Sequence, residues 1–165
     1  MSLDWFALRV KPRAERVVAT VLDGKGYECF LPMHRERRKW SDRVKTVETP
    51  LFGGYVFCRF DVQHRLPILT SPGVLHVVSI GKVPEPIPDE EIESLKVITA
   101  SGLAVEPWPF LQIGETVRIV AGPLTGASGI IQSVKDRDRL VVSVGLLQRS
   151  VSVVVPESCL WPVSA

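Results

Sequence analysis

Three aromatic side chains, Phe52, Tyr55 and Phe57, fall within six positions of the segment Thr49-Pro-Leu-Phe-Gly-Gly-Tyr-Val-Phe-Cys-Arg-Phe60. At period two, Tyr55 and Phe57 share one face of an extended strand, and Phe52 can reach that side from the preceding turn. Such a cluster serves either as strand core or as an apolar contact surface, and its spacing fits both. A second pattern surrounds Trp40, where Arg35, Arg37, Arg38, Lys39, Arg43 and Lys45 all lie within five positions. Cations beside an indole suit phosphate contact plus stacking on an unpaired base. An ordinary solvated charged loop is the alternative. Lys11, Arg13 and Arg16 make a smaller basic group near the N-terminus.

Bond-making chemistry finds no support. His34, His64 and His76 are isolated, and no Cys/His spacing resembles a zinc site. Gly122, Gly126 and Gly129 sit inside a β pattern, outside any phosphate-binding loop of the Walker or dinucleotide type. Asp89, Glu90, Glu91 and Glu93 form a charged helix start without a partnered base nearby. The expectation is a binding protein with no catalytic residue, no cofactor and no metal.

The elements that must position these residues fall into two groups. Trp5 to Val10 reads as a strand, Ala14 to Leu22 as an amphipathic helix stopped by Gly24 and Gly26, and Tyr27 to Leu31 as a second strand. The stretch from His34 to Lys45 has no buried face by either period and reads as a solvated hairpin or loop. Gly54 to Phe60 and Val74 to Ile80 are further strands. Acidic residues then open a helix with core positions Ile92, Leu95 and Ile98. This order predicts an α+β chain whose N-terminal domain, residues 1–101, is an α/β sandwich with a mainly antiparallel sheet. Residues 102–112 contain Pro107 and Pro109, show no periodicity, and are expected to be a linker. Four short β-branched runs follow, Glu115–Val120, Gly129–Val134, Leu140–Val144 and Ser150–Val155. They predict a small SH3-like β-barrel over residues 113–165.

Charge is polarised along this organisation. Residues 1–60 hold 12 Lys/Arg against 7 Asp/Glu, a balance of +5, while residues 61–110 hold 3 against 7, a balance of −4. Such asymmetry bears on partner choice more than the net charge of +2 does. No apolar run approaches the roughly 20 residues of a bilayer span, and the start lacks a signal-peptide pattern. Cys29, Cys58 and Cys159 are odd in number and scattered, which predicts reduced thiols in a cytoplasmic protein. A monomer without membrane contact is expected.

Two segments carry a resemblance. Thr49 to Phe60, followed by Pro72-Gly-Val-Leu-His-Val-Val78, resembles the N-terminal domain of NusG proteins, whose pattern is roughly Pro-Leu-Phe-Pro-Gly-Tyr-Leu-Phe. Val117-Arg-Ile-Val-Ala-Gly-Pro-Leu-Thr-Gly-Ala-Ser-Gly-Ile-Ile131 is similar to the KOW motif, a strand meeting a glycine-rich turn and a second strand. Here Gly122 and Gly126 are expected to take positive φ, and Gly129 to let strands approach closely. Gly53 departs from the family's usual proline.

The resemblance implies a transcription elongation and antitermination factor. By that likeness, Phe52, Tyr55 and Phe57 would seat the clamp helices of RNA polymerase. Lys11, Arg13, Arg16, Arg37, Arg38, Lys39 and Trp40 would face the non-template DNA strand. Leu124, Leu146 and Leu147 would form an exposed apolar patch on the KOW barrel for a small-subunit ribosomal protein or Rho. Cys29-Phe-Leu-Pro-Met33 and the basic segment look more like the specialised paralogues RfaH, UpxY and LoaP than the general factor. RfaH is known for a helical C-terminal domain, whereas the β-branched and glycine-rich C-terminal half here favours a barrel. The alternative function is a ribosome-associated or RNA-binding KOW protein, which would have no reason to carry Pro50 to Phe60.

Overall fold

The computed structural model describes residues 2–159 and 161. It divides into two compact units, one of Met1–Leu31 and Phe52–Asp89, the other of Pro32–Leu51 and Glu90–Ala165.

The first unit is built on strands β1 (Asp4–Val10), β2 (Glu28–Phe30), β5 (Tyr55–Phe60) and β6 (Val74–Val77). They form an antiparallel sheet in the order β2-β5-β1-β6. Alternation along β1 and β5 sends Phe6, Leu8, Val56, Cys58 and Phe60 to one face, where they join Val18 and Leu22 of helix α1 (Glu15–Gly24) in a buried core. Spacing of four residues places Val18 and Leu22 on one helix stripe, the pattern visible in the sequence. The helix stops at Lys25–Gly26, where Gly26 takes φ +92°. A four-residue helix α2 (Leu66–Leu69) buries Ile68 in the same core. The strand expected over Val74–Ile80 breaks at Val78, whose N–H bonds Ala7 O at 2.8 Å. A two-residue strand β7 (Ser79–Ile80) then pairs with β8 (Val83–Pro84).

In the second unit, the basic segment is a hairpin of β3 (Met33–Trp40) and β4 (Arg43–Pro50), joined through Ser41 at φ +52°. Helix α3 (Asp89–Ala100) buries Ile92, Leu95 and Ile98, the positions expected from periodicity. The C-terminal half is a five-stranded antiparallel sheet in the order β10-β11-β12-β13-β9. Its strands are β9 (Val105–Trp108), β10 (Thr116–Arg118), β11 (Ser128–Val134), β12 (Arg137–Val144) and β13 (Arg149–Val154). Gly122 and Gly126 take positive φ in the KOW turn, and a Cβ on Gly129 would collide with the Val141 carbonyl oxygen. Close strand approach there requires glycine.

One expectation needs correction. Val105–Trp108, inside the stretch read as a linker, pairs with β13 as the edge strand of the barrel sheet. Trp108 donates to Gln132 Oε1 at 2.8 Å and lies under the Arg139 guanidinium at 4.3 Å. Two prolines hid the strand, because proline is tolerated at a sheet edge where its missing N–H costs no ladder bond.

Candidate nucleic-acid and protein interfaces

The aromatic segment lies on the sheet face opposite α1. Tyr55 stands directly across from Arg9, and Phe57 from Ala7 on one side and Phe30 on the other. Phe52 meets Phe57 edge-on at 5.4 Å, and Phe30 stacks on Phe57 at 6.1 Å. Of the two readings that the spacing allowed, Phe52 and Phe57 take the core one: they are buried, at 1% and 0% exposure, so Phe52 does not reach a contact surface from its turn. They are the floor of the cluster. Tyr55 and Phe30 are half-buried. The Arg9 guanidinium sits 5.0 Å from the Tyr55 ring centroid, a cation–π contact that rigidifies both. Buried Glu15 accepts from the Gly54 N–H at 3.4 Å and ties the preceding turn to α1. Arg9 and Phe30 are members that sequence spacing could not supply, because only strand register puts them beside Tyr55.

Lys11, Arg13 and Arg16 are all exposed at the β1–α1 connection. Lys11 N–H bonds Gly73 O at 2.9 Å, which fixes the turn on β6. Arg13 holds φ +66°, a left-handed conformation that is costly for a residue with a Cβ.

The hairpin register sorts the basic residues that sequence left as one run. Arg38 opposes Lys45 and Trp40 opposes Arg43, so these four side chains share one face. Arg35, Arg37 and Lys39 share the other, with Val44 and Thr46. Trp40 is 58% exposed, while Trp5 is 3% exposed. Cations placed directly opposite one another destabilise a sheet. Arg38 has a partial offset in an exposed ion pair to Glu36 at 3.2 Å, a geometry worth little in water. Of the cations expected around Trp40, Arg38, Arg43 and Lys45 thus share its face, whereas Arg37 and Lys39 lie on the other.

On the barrel, Leu124 departs from expectation. It is fully buried in the KOW turn and presents no side chain to a partner. The turn closes around it through Ala127 N–H to Leu124 O at 3.0 Å and Gly126 N–H to Ile119 O at 2.9 Å. Helix α3 runs beside this turn, with buried Ser94 Oγ accepting from Ser128 N–H at 2.9 Å. Leu146 and Leu147 are half-buried in a 3-10 turn, Gly145–Leu147, between β12 and β13. The apolar side chains that stand out most here are Ile113, at 90% exposure, and Val120, at 55%. Next to Gly145, the Glu91 carboxyl has a buried Oε1 without a hydrogen-bond partner. Burial pushes its pKa above the usual carboxylate value, partly opposed by the Gly145 N–H.

Among the described residues, no three metal-capable side chains converge, and no helix is long and apolar enough to cross a membrane.

Residues 3–96 match the family model described as transcription termination factor nusG. The transcription termination/antitermination protein NusG of Helicobacter pylori is 24% identical over 170 residues, covering 94% of this chain and 96% of that protein. That of Pseudomonas aeruginosa is 26% identical over 144 residues, covering 84% and 81%. A solved structure titled for domain interaction in Thermotoga maritima NusG shares the fold, with TM-score 0.55 at 19% identity over 94% of both chains. The family model spans more than half of the sequence and the relatives are named for control of termination, so this chain belongs to the NusG family of transcription termination/antitermination factors.

Proposed function

We propose that the chain is a non-enzymatic elongation and antitermination factor that docks on the clamp helices of RNA polymerase through the sheet face bearing Tyr55, Arg9 and Phe30. Phe52 and Phe57 set the shape of that face from beneath. Lys11, Arg13 and Arg16, together with the hairpin, face the non-template DNA strand beside the polymerase. The KOW barrel takes a second partner, a small-subunit ribosomal protein or Rho, through Leu146 and Leu147. It works as a cytoplasmic monomer, with residues 1–101 forming the polymerase-binding domain. The basic hairpin and Cys29–Met33 support reading it as an operon-specific paralogue, one whose C-terminal half is β-rich rather than helical like that of RfaH.

The observation that carries the nucleic-acid part is the hairpin face of Arg38, Trp40, Arg43 and Lys45. An exposed indole flanked by opposed cations costs the hairpin stability, and an unpaired base with its phosphates would neutralise that repulsion. Binding to a reconstituted elongation complex, measured at several salt concentrations, tests the reading. Wild-type affinity should fall steeply with salt. Arg38→Ala with Lys45→Ala should flatten the slope by about 2 while binding to free polymerase is unchanged. Tyr55→Ala should weaken both by roughly 2 kcal/mol if it is a hot spot. An unaltered salt slope would assign the hairpin to bulk solvent. Recovery of ribosomal subunits alone from a lysate would favour a ribosome-associated KOW protein.

A further inference from the structure

Cysteines separated by 29 positions meet across the β2–β5 ladder, where Cys29 and Cys58 are directly opposed. Their Sγ atoms are 3.6 Å apart, and both thiols are free. Directly opposed residues of an antiparallel pair have Cα atoms about 4.5–5.5 Å apart, inside the window of about 4.4–6.8 Å that a disulfide spans. Closing the bond therefore asks for side-chain rotation and a small strand adjustment, without a change of fold. We propose that Cys29 and Cys58 are a redox-responsive dithiol that closes reversibly to a disulfide, locking edge strand β2 onto β5. This inference does not rest on the polymerase or nucleic-acid reading.

The two thiols are not equivalent. Cys58 lies at 0% exposure in the core, whereas Cys29 is half-buried on a strand at the sheet edge. The side-chain hydrogen bond between the two sulfurs holds the Cys29 thiol below its ordinary range. The same contact, with burial, pushes Cys58 up. Cys29 is thus both the reachable sulfur and the one that ionises first, the profile of an attacking thiol beside a resolving one.

The co-reactant is a small disulfide of the oxidised-glutathione class. The Cys29 thiolate attacks one of its sulfurs, forming a mixed disulfide and expelling one small thiolate. Cys58 then attacks Cys29 Sγ, forming the intramolecular bond and expelling the second. Two protein thiols are oxidised, one small disulfide is reduced to two thiols, and the two protein protons end on the departing sulfurs. The crosslink closes the chain segment that contains the whole β3–β4 hairpin and Phe52. It also fixes Phe30, the neighbour of Cys29, against Phe57. Oxidation would tighten the strand from which the basic hairpin departs.

The test equilibrates the full-length protein in mixtures of reduced and oxidised glutathione, quenches with an alkylating agent under denaturing conditions, and reads intact mass and peptide maps. Expected is a species lacking two hydrogens, protected from alkylation at Cys29 and Cys58, alkylated at Cys159, and restored by dithiothreitol. Cys29→Ser, at the half-buried edge position, should abolish it with the fold retained. Cys58→Ser should halt the reaction at a glutathione adduct on Cys29. Amide exchange at β2 should slow by roughly tenfold in the oxidised form. Alkylation of both cysteines at every glutathione ratio would overturn the proposal. Accumulation of only mixed disulfides or crosslinked dimers in the wild type, or unchanged exchange at β2, would do the same.

Discussion

Leu124 separates two readings of the KOW turn sharply, because a contact residue and a core residue respond oppositely to truncation. Its side chain is fully buried, so Leu124→Ala removes apolar volume from a packed site and leaves a cavity. Such changes cost roughly 2–5 kcal/mol. A central value of about 3 kcal/mol, at about 4–8 °C per kcal/mol for a small domain, lowers the melting temperature by roughly 12–24 °C. Leu147→Ala provides the internal comparison. That side chain is half-buried, and losing part of its burial should cost about 1 kcal/mol, or about 4–8 °C. The assay is urea and thermal unfolding of the full-length chain by circular dichroism. Amide exchange at β11 and β12 would identify the transition that belongs to the barrel, because a chain with two units need not unfold in one step. Each variant would then be titrated with the small-subunit ribosomal protein and with Rho. Leu147→Ala should lose affinity with modest loss of stability, and Leu124→Ala should lose stability first. A Leu124→Ala protein within about 0.5 kcal/mol of wild type that no longer bound its partner would refute the buried assignment.

Gly129→Ala should cost about 1–3 kcal/mol through a shift of β11 from β12, since the added Cβ meets the Val141 carbonyl. A lower urea midpoint at unchanged slope would register it, and an unchanged midpoint would mean that the strands can part freely. Arg13→Gly should be neutral or stabilising by up to about 1 kcal/mol, because it relieves the left-handed residue at φ +66°. It should also weaken binding to elongation complexes; a stable variant with full affinity would remove Arg13 from the interface. Glu91 sets a pH dependence. The folded state raises its carboxyl pKa above 4.5, so the folded chain binds that proton more tightly than the unfolded one. Its contribution therefore favours folding most below pH 4.5 and is lost as pH rises through the folded value. Glu91→Gln should flatten that part of the stability profile and raise stability at neutral pH, as read from urea midpoints across pH; an identical profile in the variant would contradict the burial argument.

Periodicity was enough for the elements with a single buried stripe or face. Val18 and Leu22 in α1, and Ile92, Leu95 and Ile98 in α3, each had one way to bury their apolar side. Glycine identity marked the KOW turn for the same local reason, since few other residues tolerate φ near +90°. The likeness of Thr49 to Phe60 and of Val117 to Ile131 to known motifs, in that order, also pointed to the family. Other decisions depended on chain segments far apart in sequence. Proline obscured β9, whose ladder partner β13 lies 42 to 48 residues downstream. Burial of Phe52, Phe57 and Leu124 depended on the rings, strands and turns packed around them, which period-two spacing cannot distinguish from exposure. Register, a property of strand pairs, brought Arg9 to Tyr55, sorted the hairpin cations around Trp40, and set Cys29 against Cys58. A shift of one residue in any of those ladders would have placed each side chain on the opposite face, so only the tertiary structure could decide them.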